Sequence, residues 1–247
     1  ENISLREGVM ISHFEMLSDW QWYRRRGGSD RKSTEVFFRH WIPMLAPATP
    51  HIAEEFWSKV GNQDMVSEYI ISDISELEDD IIHIAKEQYL RDLIDSSRNV
   101  KGLASRHSEV AISKCIIQTS PKWKNDIAIE ALSLSVKNFD FKENGMNHVK
   151  SLGVFGVEKL RGEVIQTWQS FTTGNKKTRG KIHTWSEAEK SLINLRFNES
   201  DFINKNADFI AYSLSIDNVF SYDVGDGEDV AGKARVSSPL NPGIAFI

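Results

Sequence analysis

Cysteine is almost absent from this chain, since Cys115 is the only one among 247 residues. A single cysteine excludes an internal disulfide. It lies in a short run of β-branched residues, where a free thiol is usually buried and inert. The seven histidines lie far apart and no Cys-x-x-Cys pair exists, so the spacing that zinc sites use is missing. We therefore predict neither a disulfide framework nor a metal site.

Long apolar runs are missing as well. No stretch approaches the roughly 18–20 residues of a membrane span, and no charged-then-apolar leader marks secretion. With 40% hydrophobic and 26% charged residues, the composition is that of an ordinary soluble protein long enough for two domains. The chain begins with Glu1 and not with methionine, so we expect a fragment or processed product. Because no membrane span or secretion leader is visible, we expect a cytoplasmic location and no membrane partner.

No set of residues typical of catalysis is visible. Gly225 and Gly227 form a Gly-x-Gly pair, but the third glycine and the helix of a dinucleotide-binding loop are missing. The carboxylates around them do not have the spacing of an EF-hand calcium loop. A hairpin turn is the better interpretation of this segment. We predict no catalytic residue in this chain.

Positive charge is scarce overall and concentrated locally. The formal net charge is −5, and residues 61–100 hold ten acidic residues against three basic ones. By contrast, residues 173–181 hold four bases and no acid, and the segment from residue 230 onward has two bases and no acid. A polyanionic partner would therefore meet particular faces of the protein and not its whole surface.

The most informative stretch that is present runs from Thr34 to Trp57. Its apolar residues recur at helical spacing, which predicts two helices joined by a proline elbow. Pro43 should kink the first helix and Pro47 should end it. The second helix should begin with Thr49 as N-cap and Pro50 as first residue. The predicted apolar faces are Phe37, Trp41 and Leu45 in the first helix and Ile52, Ala53, Phe56 and Trp57 in the second.

Two further helices complete the predicted N-terminal half. The first spans residues 3–26, with Met10, Phe14 and Leu17 on one face. It ends in three arginines beside two tryptophans, which favours either a phosphate-binding site or a solvated helix end with tryptophans in the core. The other spans residues 76–106, with Leu77, Ile81, Ile84, Ala85, Leu90, Leu93 and Ile94 inward.

The C-terminal half alternates loosely between strands and helices, which indicates a small α+β unit. Ser186 and Glu189 fit the capping box at the start of a helix. Other helices are expected at 123–136, 157–171 and 201–208, and a Gly- and Lys-rich loop at 172–181. Strands are expected at 110–119, 209–216, 218–224 and 231–236.

The elbow carries the string Leu45-x-Pro47-x-x-Pro50-His51-x-x-Glu54-Glu55-x-Trp57. This string resembles the helix pair in the anticodon-binding bundle of class I aminoacyl-tRNA synthetases for leucine, isoleucine and valine. The Trp22-Tyr23 pair followed by arginines resembles the matching helix end of archaeal and eukaryotic-type leucyl-tRNA synthetases. The later motifs resemble the C-terminal domain of the archaeal-type enzyme: Trp123-Lys124, the Gly-Lys-Ala-Arg run at 232–235, and the tail with Pro239, Pro242 and Ile244. The family's tail usually ends in an acidic residue, whereas Ile247 is the last residue here.

This resemblance to archaeal-type leucyl-tRNA synthetases implies an α+β protein in two domains. Residues 1–107 would be the helical anticodon-binding-type bundle, and residues 108–247 the tRNA-binding C-terminal domain. The implied role is to position tRNA(Leu) through its body and long variable arm, and the implied oligomeric state is a monomer. The ATP-binding signatures of the family are absent here, so activation with ATP and Mg would belong to N-terminal catalytic and editing domains. No cofactor is expected in this fragment itself.

The residues predicted to bind tRNA are basic groups in three places and the C-terminal tail. They are Arg24, Arg25, Arg26, Lys176, Lys177, Arg179, Lys181, Lys233, Arg235, Pro239, Pro242, Gly243, Ile244, Phe246 and Ile247. An extended Pro-containing tail can present backbone groups to unpaired base edges. The alternative is that Ile244–Ile247 form an edge strand of their own domain. Alternatives for the whole chain are an isoleucyl or valyl enzyme and a helical adaptor that binds protein.

Overall fold

A computed structural model describes residues 4–69, 80–106, 112–174, 179–223 and 232–247, the side chain of residue 234 excepted. These residues form helices and one small sheet, which confirms the predicted α+β class. The chain divides into two compact units, residues 1–79 and 80–247. Each unit is described by itself.

The first unit consists of helices and connecting loops in its described residues. A helix begins at Leu5 and continues to Arg25, but its middle turn is π-helical and therefore wider than the turns on either side. Two α-helices and a short 3-10 turn follow. The bounds are α1 Leu5–Val9, the π-helical segment Met10–Glu15, α2 Met16–Arg25, α3 Arg31–Leu45, α4 Pro50–Lys59 and the 3-10 turn Val66–Glu68.

The proline elbow between α3 and α4 is confirmed. Pro43 lies inside α3, Thr49 is the N-cap of α4, and Pro50 opens that helix. Asp30 caps α3 by accepting a hydrogen bond from the Ser33 amide, so the helix begins earlier than the apolar pattern indicates. The buried core of this unit consists of Ile42, Leu45, Ala53, Trp57 and Val66.

Some predicted apolar faces of this unit are wrong. Met10 and Phe14 are 46% and 59% exposed, because the π-helical turn rotates the helix surface away from the 3.6-residue period. The inward residue of this turn is Ser12, which is 4% exposed. In α4, Ile52 and Phe56 are also exposed, so only Ala53 and Trp57 are buried as predicted.

The second unit surrounds a three-stranded sheet with helices. The bounds of its helices and strands are α5 Ile81–Arg106, β1 Lys114–Thr119, α6 Lys122–Val136, α7 Gly145–Ser151, α8 Arg161–Phe171, α9 Glu187–Asn194, α10 Glu199–Lys205, α11 Ala207–Leu214, β2 Asn218–Asp223, α12 Lys233–Val236 and β3 Gly243–Phe246. Short 3-10 turns lie at Gly153–Gly156, Glu158–Leu160 and Lys181–His183. The predicted capping box of α9 is present.

The strand order is β2-β1-β3. Strand β1 pairs with β2 in parallel, which requires the long helical connection α6–α11 between them. It pairs with β3 antiparallel, so that Ile117 lies opposite Ile244. Cys115 is fully buried in β1, and burial raises the pKa of its thiol to about 12, in agreement with an inert cysteine. The main core lies between α6, α8 and their neighbours.

Two predicted strands are helices in the structure. Residues 209–216 fall mostly in α11, where Ile210, Ala211 and Leu214 are buried at the helical spacing i, i+1, i+4. This short run fits both the helical and the strand period. Packing of α11 against β2 favours the helix. Residues 231–236 contain α12 and not a third strand, and the third strand is formed by the tail. The predicted turn at Gly225–Gly227 lies outside the described residues.

Helix α5 packs with the second unit, against α9, α11 and β3. Leu90, Leu93 and Ile94 are buried there as predicted, whereas Ile81 and Ile84 are exposed near its start. The second compact unit therefore begins before α5. The sequence instead predicts a domain boundary after this helix, at residues 107–108, and that boundary stays a prediction.

Candidate nucleic-acid interface

The arginine cluster Arg24–Arg26 closes α2 in the first unit. Arg24 and Arg25 are exposed. The Arg24 guanidinium lies 6.0 Å from the centre of the Trp20 ring, and its Nη1 donates a hydrogen bond to the Gly28 carbonyl oxygen at 2.9 Å. The Arg25 guanidinium lies 5.7 Å from the Trp22 ring. Cation–π contacts of this kind hold the charged groups over the tryptophan rings.

Aromatic packing fixes this helix end on the elbow. Trp20 stacks on Phe37 with ring centres 4.9 Å apart and is tilted on Phe38 at 5.1 Å. The tryptophan is therefore half-buried beneath exposed arginines. The two interpretations of this segment are thus compatible: a tryptophan can pack in the core while the arginines beside it stay accessible to phosphates.

The second predicted cluster is only partly described. Lys176 and Lys177 lie outside the described residues. Arg179 and Lys181 line an open groove with the α8 side chains Gln166, Gln169 and Ser170. A Cβ atom on Gly180 would lie 2.0 Å from the Thr172 carbonyl oxygen, so only glycine permits this close return of the chain to the end of α8.

Lys181 holds the tail as well as lining the groove. Its Nζ donates to the Ser238 Oγ at 2.7 Å and lies 5.8 Å from the Phe171 ring. Burial lowers the pKa of this lysine. Its ammonium is therefore engaged within the protein, while its predicted role in tRNA binding stays a prediction.

Lys124 performs a similar task and was not selected from the sequence as a site residue. Its Nζ donates to the carbonyl oxygens of Arg235 at 2.9 Å and Ser237 at 2.7 Å. Lys124 is 7% exposed, and burial is the main cause that lowers its pKa. The Trp123-Lys124 pair resembles a family motif, but no local sequence pattern indicates that the Lys124 ammonium reaches carbonyl oxygens more than a hundred residues away.

Helix α12 presents the third pair of bases. Arg235 is exposed, and its Nε lies 4.0 Å from Glu163 Oε1. The carbonyl oxygen of Lys233 approaches Gly243 so closely that a Cβ there would meet it at 2.3 Å. Gly243 thus permits a close backbone approach, and the neighbour is α12 of the same unit.

The C-terminal tail begins with a turn and ends as a strand. Ser238 and Asn241 exchange backbone hydrogen bonds of 3.0 and 2.8 Å, and Leu240 between them has φ +58°. Pro239, Gly243 and Ile244 are buried, whereas Ile247 is 55% exposed. The edge-strand alternative is thus confirmed, because pairing with β1 satisfies the tail's backbone groups on one side. The predicted role of the tail in binding tRNA stays a prediction.

None of the helices in the described ranges combines the length and apolar character needed to cross a bilayer. Within the same ranges, no group of three or more His, Cys, Asp or Glu side chains is arranged to hold a metal ion. The features available for recognition are thus basic side chains, half-buried aromatic rings and an edge strand.

Comparison with known proteins identifies relatives. Residues 10–116 match the family described as the anticodon-binding domain of tRNA ligase. The chain is 26% identical to a leucine–tRNA ligase of Methanococcus maripaludis over 99% of its own length and 22% of the relative's. It is 25% identical to the leucine–tRNA ligase of Methanocaldococcus jannaschii, with the same coverage of both chains. It is 26% identical to leucine–tRNA ligase 1 of Sulfolobus acidocaldarius over 98% of this chain and 24% of that one.

These matches confirm the resemblance that the sequence motifs indicated. The chain spans less than a quarter of the length of the relatives it matches. The matched family region includes the elbow and α5, so it extends across the division between the two compact units.

Proposed function

We propose that this chain is the tRNA-binding C-terminal portion of a class I, ATP-dependent leucine–tRNA ligase. It positions tRNA(Leu) through the tRNA body and the long variable arm, while N-terminal catalytic and editing domains of the same enzyme use ATP and Mg. The enzyme acts in the cytoplasm, and this portion acts as a monomer. The observation that carries the proposal is similarity along 98–99% of the chain to archaeal leucine–tRNA ligases.

The first unit supports a role in holding the tRNA body. Exposed Arg24 and Arg25 lie over the rings of Trp20 and Trp22, and Trp20 is itself packed on the elbow. Such an arrangement offers positive charge in a fixed place, which suits contacts with phosphates. Phosphate contacts position an RNA without reading its sequence.

The second unit supports a role in recognising the variable arm. Its tail is a short edge strand with an exposed last residue, flanked by α12 with Lys233 and Arg235. Edge strands leave one row of backbone donors and acceptors unpaired. In β3, Gly243, Ile244 and Ala245 are buried, so the accessible part of the tail is its end, at Phe246 and Ile247. An aromatic ring and an exposed chain end beside basic side chains suit a single-stranded or loop segment of RNA, whose unstacked bases are accessible.

The test compares three RNAs at one fixed salt concentration near physiological, because binding of nucleic acid depends strongly on salt. They are tRNA(Leu), the same tRNA with its variable arm trimmed to a short loop, and a natural short-armed tRNA. We expect at least about tenfold tighter binding of the intact tRNA(Leu), equivalent to about 1.4 kcal/mol. Equal affinities would contradict recognition of the arm, and no measurable binding of any tRNA would favour the protein-binding adaptor.

A further inference from the structure

A buried carboxylate links three distant parts of the second unit. Glu199 is the first residue of α10 and is 5% exposed. Its Oε2 accepts a hydrogen bond from the Tyr89 hydroxyl at 2.8 Å, and its Oε1 accepts one from the Leu240 amide at 3.1 Å. The contact therefore joins α5, α10 and the C-terminal tail. An acidic side chain is rarely buried without a specific partner.

The Leu240 amide needs this acceptor. In the turn, the amides of Ser238 and Asn241 bond to each other's carbonyl oxygens, so the Leu240 N–H is not used by the turn itself. Leu240 has φ +58°, a left-handed conformation that is unfavourable for leucine. Strain of this kind persists only where surrounding contacts hold the backbone in place.

Leu240 packs against the core cluster on one side and borders a cavity on the other. A cavity of 190 Å³ lies between the tail, α5 and α9, and Tyr89, Leu93, Leu192, Leu240 and Pro242 are among the residues lining it. Core packing therefore restrains Leu240 from one direction only. The hydrogen bond from the Leu240 amide to Glu199 therefore contributes more to fixing the position of the turn.

Tyr89 is itself held in place. Its ring packs edge-on against Phe197 at 5.5 Å between centres and is tilted against Phe202 at 6.2 Å. The hydroxyl is thus directed at Glu199 by two aromatic rings that flank the start of α10. Burial is the main cause that raises the pKa of Glu199 to about 7, in keeping with a carboxyl group removed from water.

We propose that Glu199, held by Tyr89, is a positioning residue for the tail: it fixes the turn at Leu240 and thereby the direction of β3 and the exposed Ile247. This inference rests on the proposed function, because it assigns the geometry of the surface that meets the variable arm. Glu199 is buried and does not itself touch RNA. It acts through the backbone of the tail.

The test uses three variants and one matched control in the 247-residue chain. Glu199→Ala removes both acceptors. Glu199→Gln keeps an oxygen for the Leu240 amide and an NH₂ group that can donate to the Tyr89 oxygen. Tyr89→Phe removes one hydrogen bond only. Asp201→Ala is the control, since Asp201 lies on the same helix but bonds to Lys205 at the surface.

Two readouts are measured below the melting temperature: hydrogen exchange of the Leu240 amide, and the affinity ratio between tRNA(Leu) and its arm-trimmed form. We expect Glu199→Ala to speed the exchange at least about tenfold and to bring the affinity ratio toward one. Tyr89→Phe should have a smaller effect of the same kind. Glu199→Gln should keep the affinity ratio and show no faster exchange than the unmodified chain, and Asp201→Ala should match the unmodified chain in both readouts.

Faster exchange in Glu199→Ala with an unchanged affinity ratio would overturn the positioning role and leave the proposed function standing. Unchanged exchange would overturn the contact itself. Should the alanine variant fail to fold, Tyr89→Phe decides by the same two readouts. An unmodified chain that shows no preference for the long arm would overturn the proposed function, and this inference with it.

Discussion

The two units build their candidate RNA-binding surfaces in different ways. In the first unit, Arg24–Arg26 and the neighbouring tryptophans belong to one helix end. The contacts of Arg24 and Arg25 with Trp20, Trp22 and Gly28 join residues up to four positions apart. In the second unit, the tail is held by Lys124, Lys181 and Glu199 across sequence separations of 41 to 113 residues. A surface of the first kind is readable from a short sequence motif, whereas one of the second kind depends on the whole fold.

Deleting Leu240–Ile247 tests the second surface most severely. The deletion removes β3, exposes β1 and leaves Glu199 without the Leu240 amide. Loss of the buried Ile244 alone is worth about 2–5 kcal/mol, so we expect a lower melting temperature together with loss of preference for the long arm. Circular dichroism and tRNA binding measure the two effects. An unaltered melting temperature would contradict the structural role of the strand.

Lys124→Ala tests whether the long-range contacts hold the tail. The substitution removes the Lys124 ammonium, a buried donor to the carbonyl oxygens of Arg235 and Ser237. We expect the free energy of unfolding to fall by about 2–4 kcal/mol, measured by denaturant titration. Lys122→Ala is the matched control, because that side chain is exposed on the same helix. A loss no greater than in the control would show that α12 and the tail are held by packing alone.

The pH dependence of stability isolates Glu199. Its pKa is raised from 4.5 to about 7 by burial, so between these values the native state binds more protons than the unfolded state. Stability should therefore fall as pH rises from about 4.5 to 7 and stay constant above. Glu199→Gln should lack this decline and be more stable than the unmodified chain at pH 8, by on the order of 3 kcal/mol at 1.36 kcal/mol per pKa unit. Parallel pH profiles for the two proteins would contradict an unusually basic carboxyl group.

Replacing Arg24, Arg25 and Arg26 by alanine should affect stability least, by less than about 0.5 kcal/mol, because Arg24 and Arg25 are exposed. It should nevertheless weaken tRNA binding. Each lost phosphate contact reduces the salt slope of log K by about 0.7–0.9. Binding measured at several salt concentrations gives this slope, with Arg31→Ala as a control, since Arg31 pairs with Glu35 in the same unit. An identical slope would make the arginines a solvated helix end.

Much of the local structure was predictable. The elbow, the capping box at Ser186 and Glu189, and strands β1 and β2 depend on residues within a few positions of each other. The errors have two causes. A π-helical turn rotated the apolar face around Met10 and Phe14, and a short run near Ile210 satisfied both the helical and the strand period. Neither ambiguity can be resolved without knowing what packs against the segment.

The sequence by itself determined where helices start and turn, because caps and prolines act on the backbone directly beside them. It also determined the family resemblance, which resides in contiguous motifs. Only the tertiary structure decided that the tail is an edge strand, that Lys124 and Lys181 hold it, and that Glu199 supplies the acceptor for Leu240. Those roles arise when residues far apart in the chain are buried together, where each polar group must find a partner.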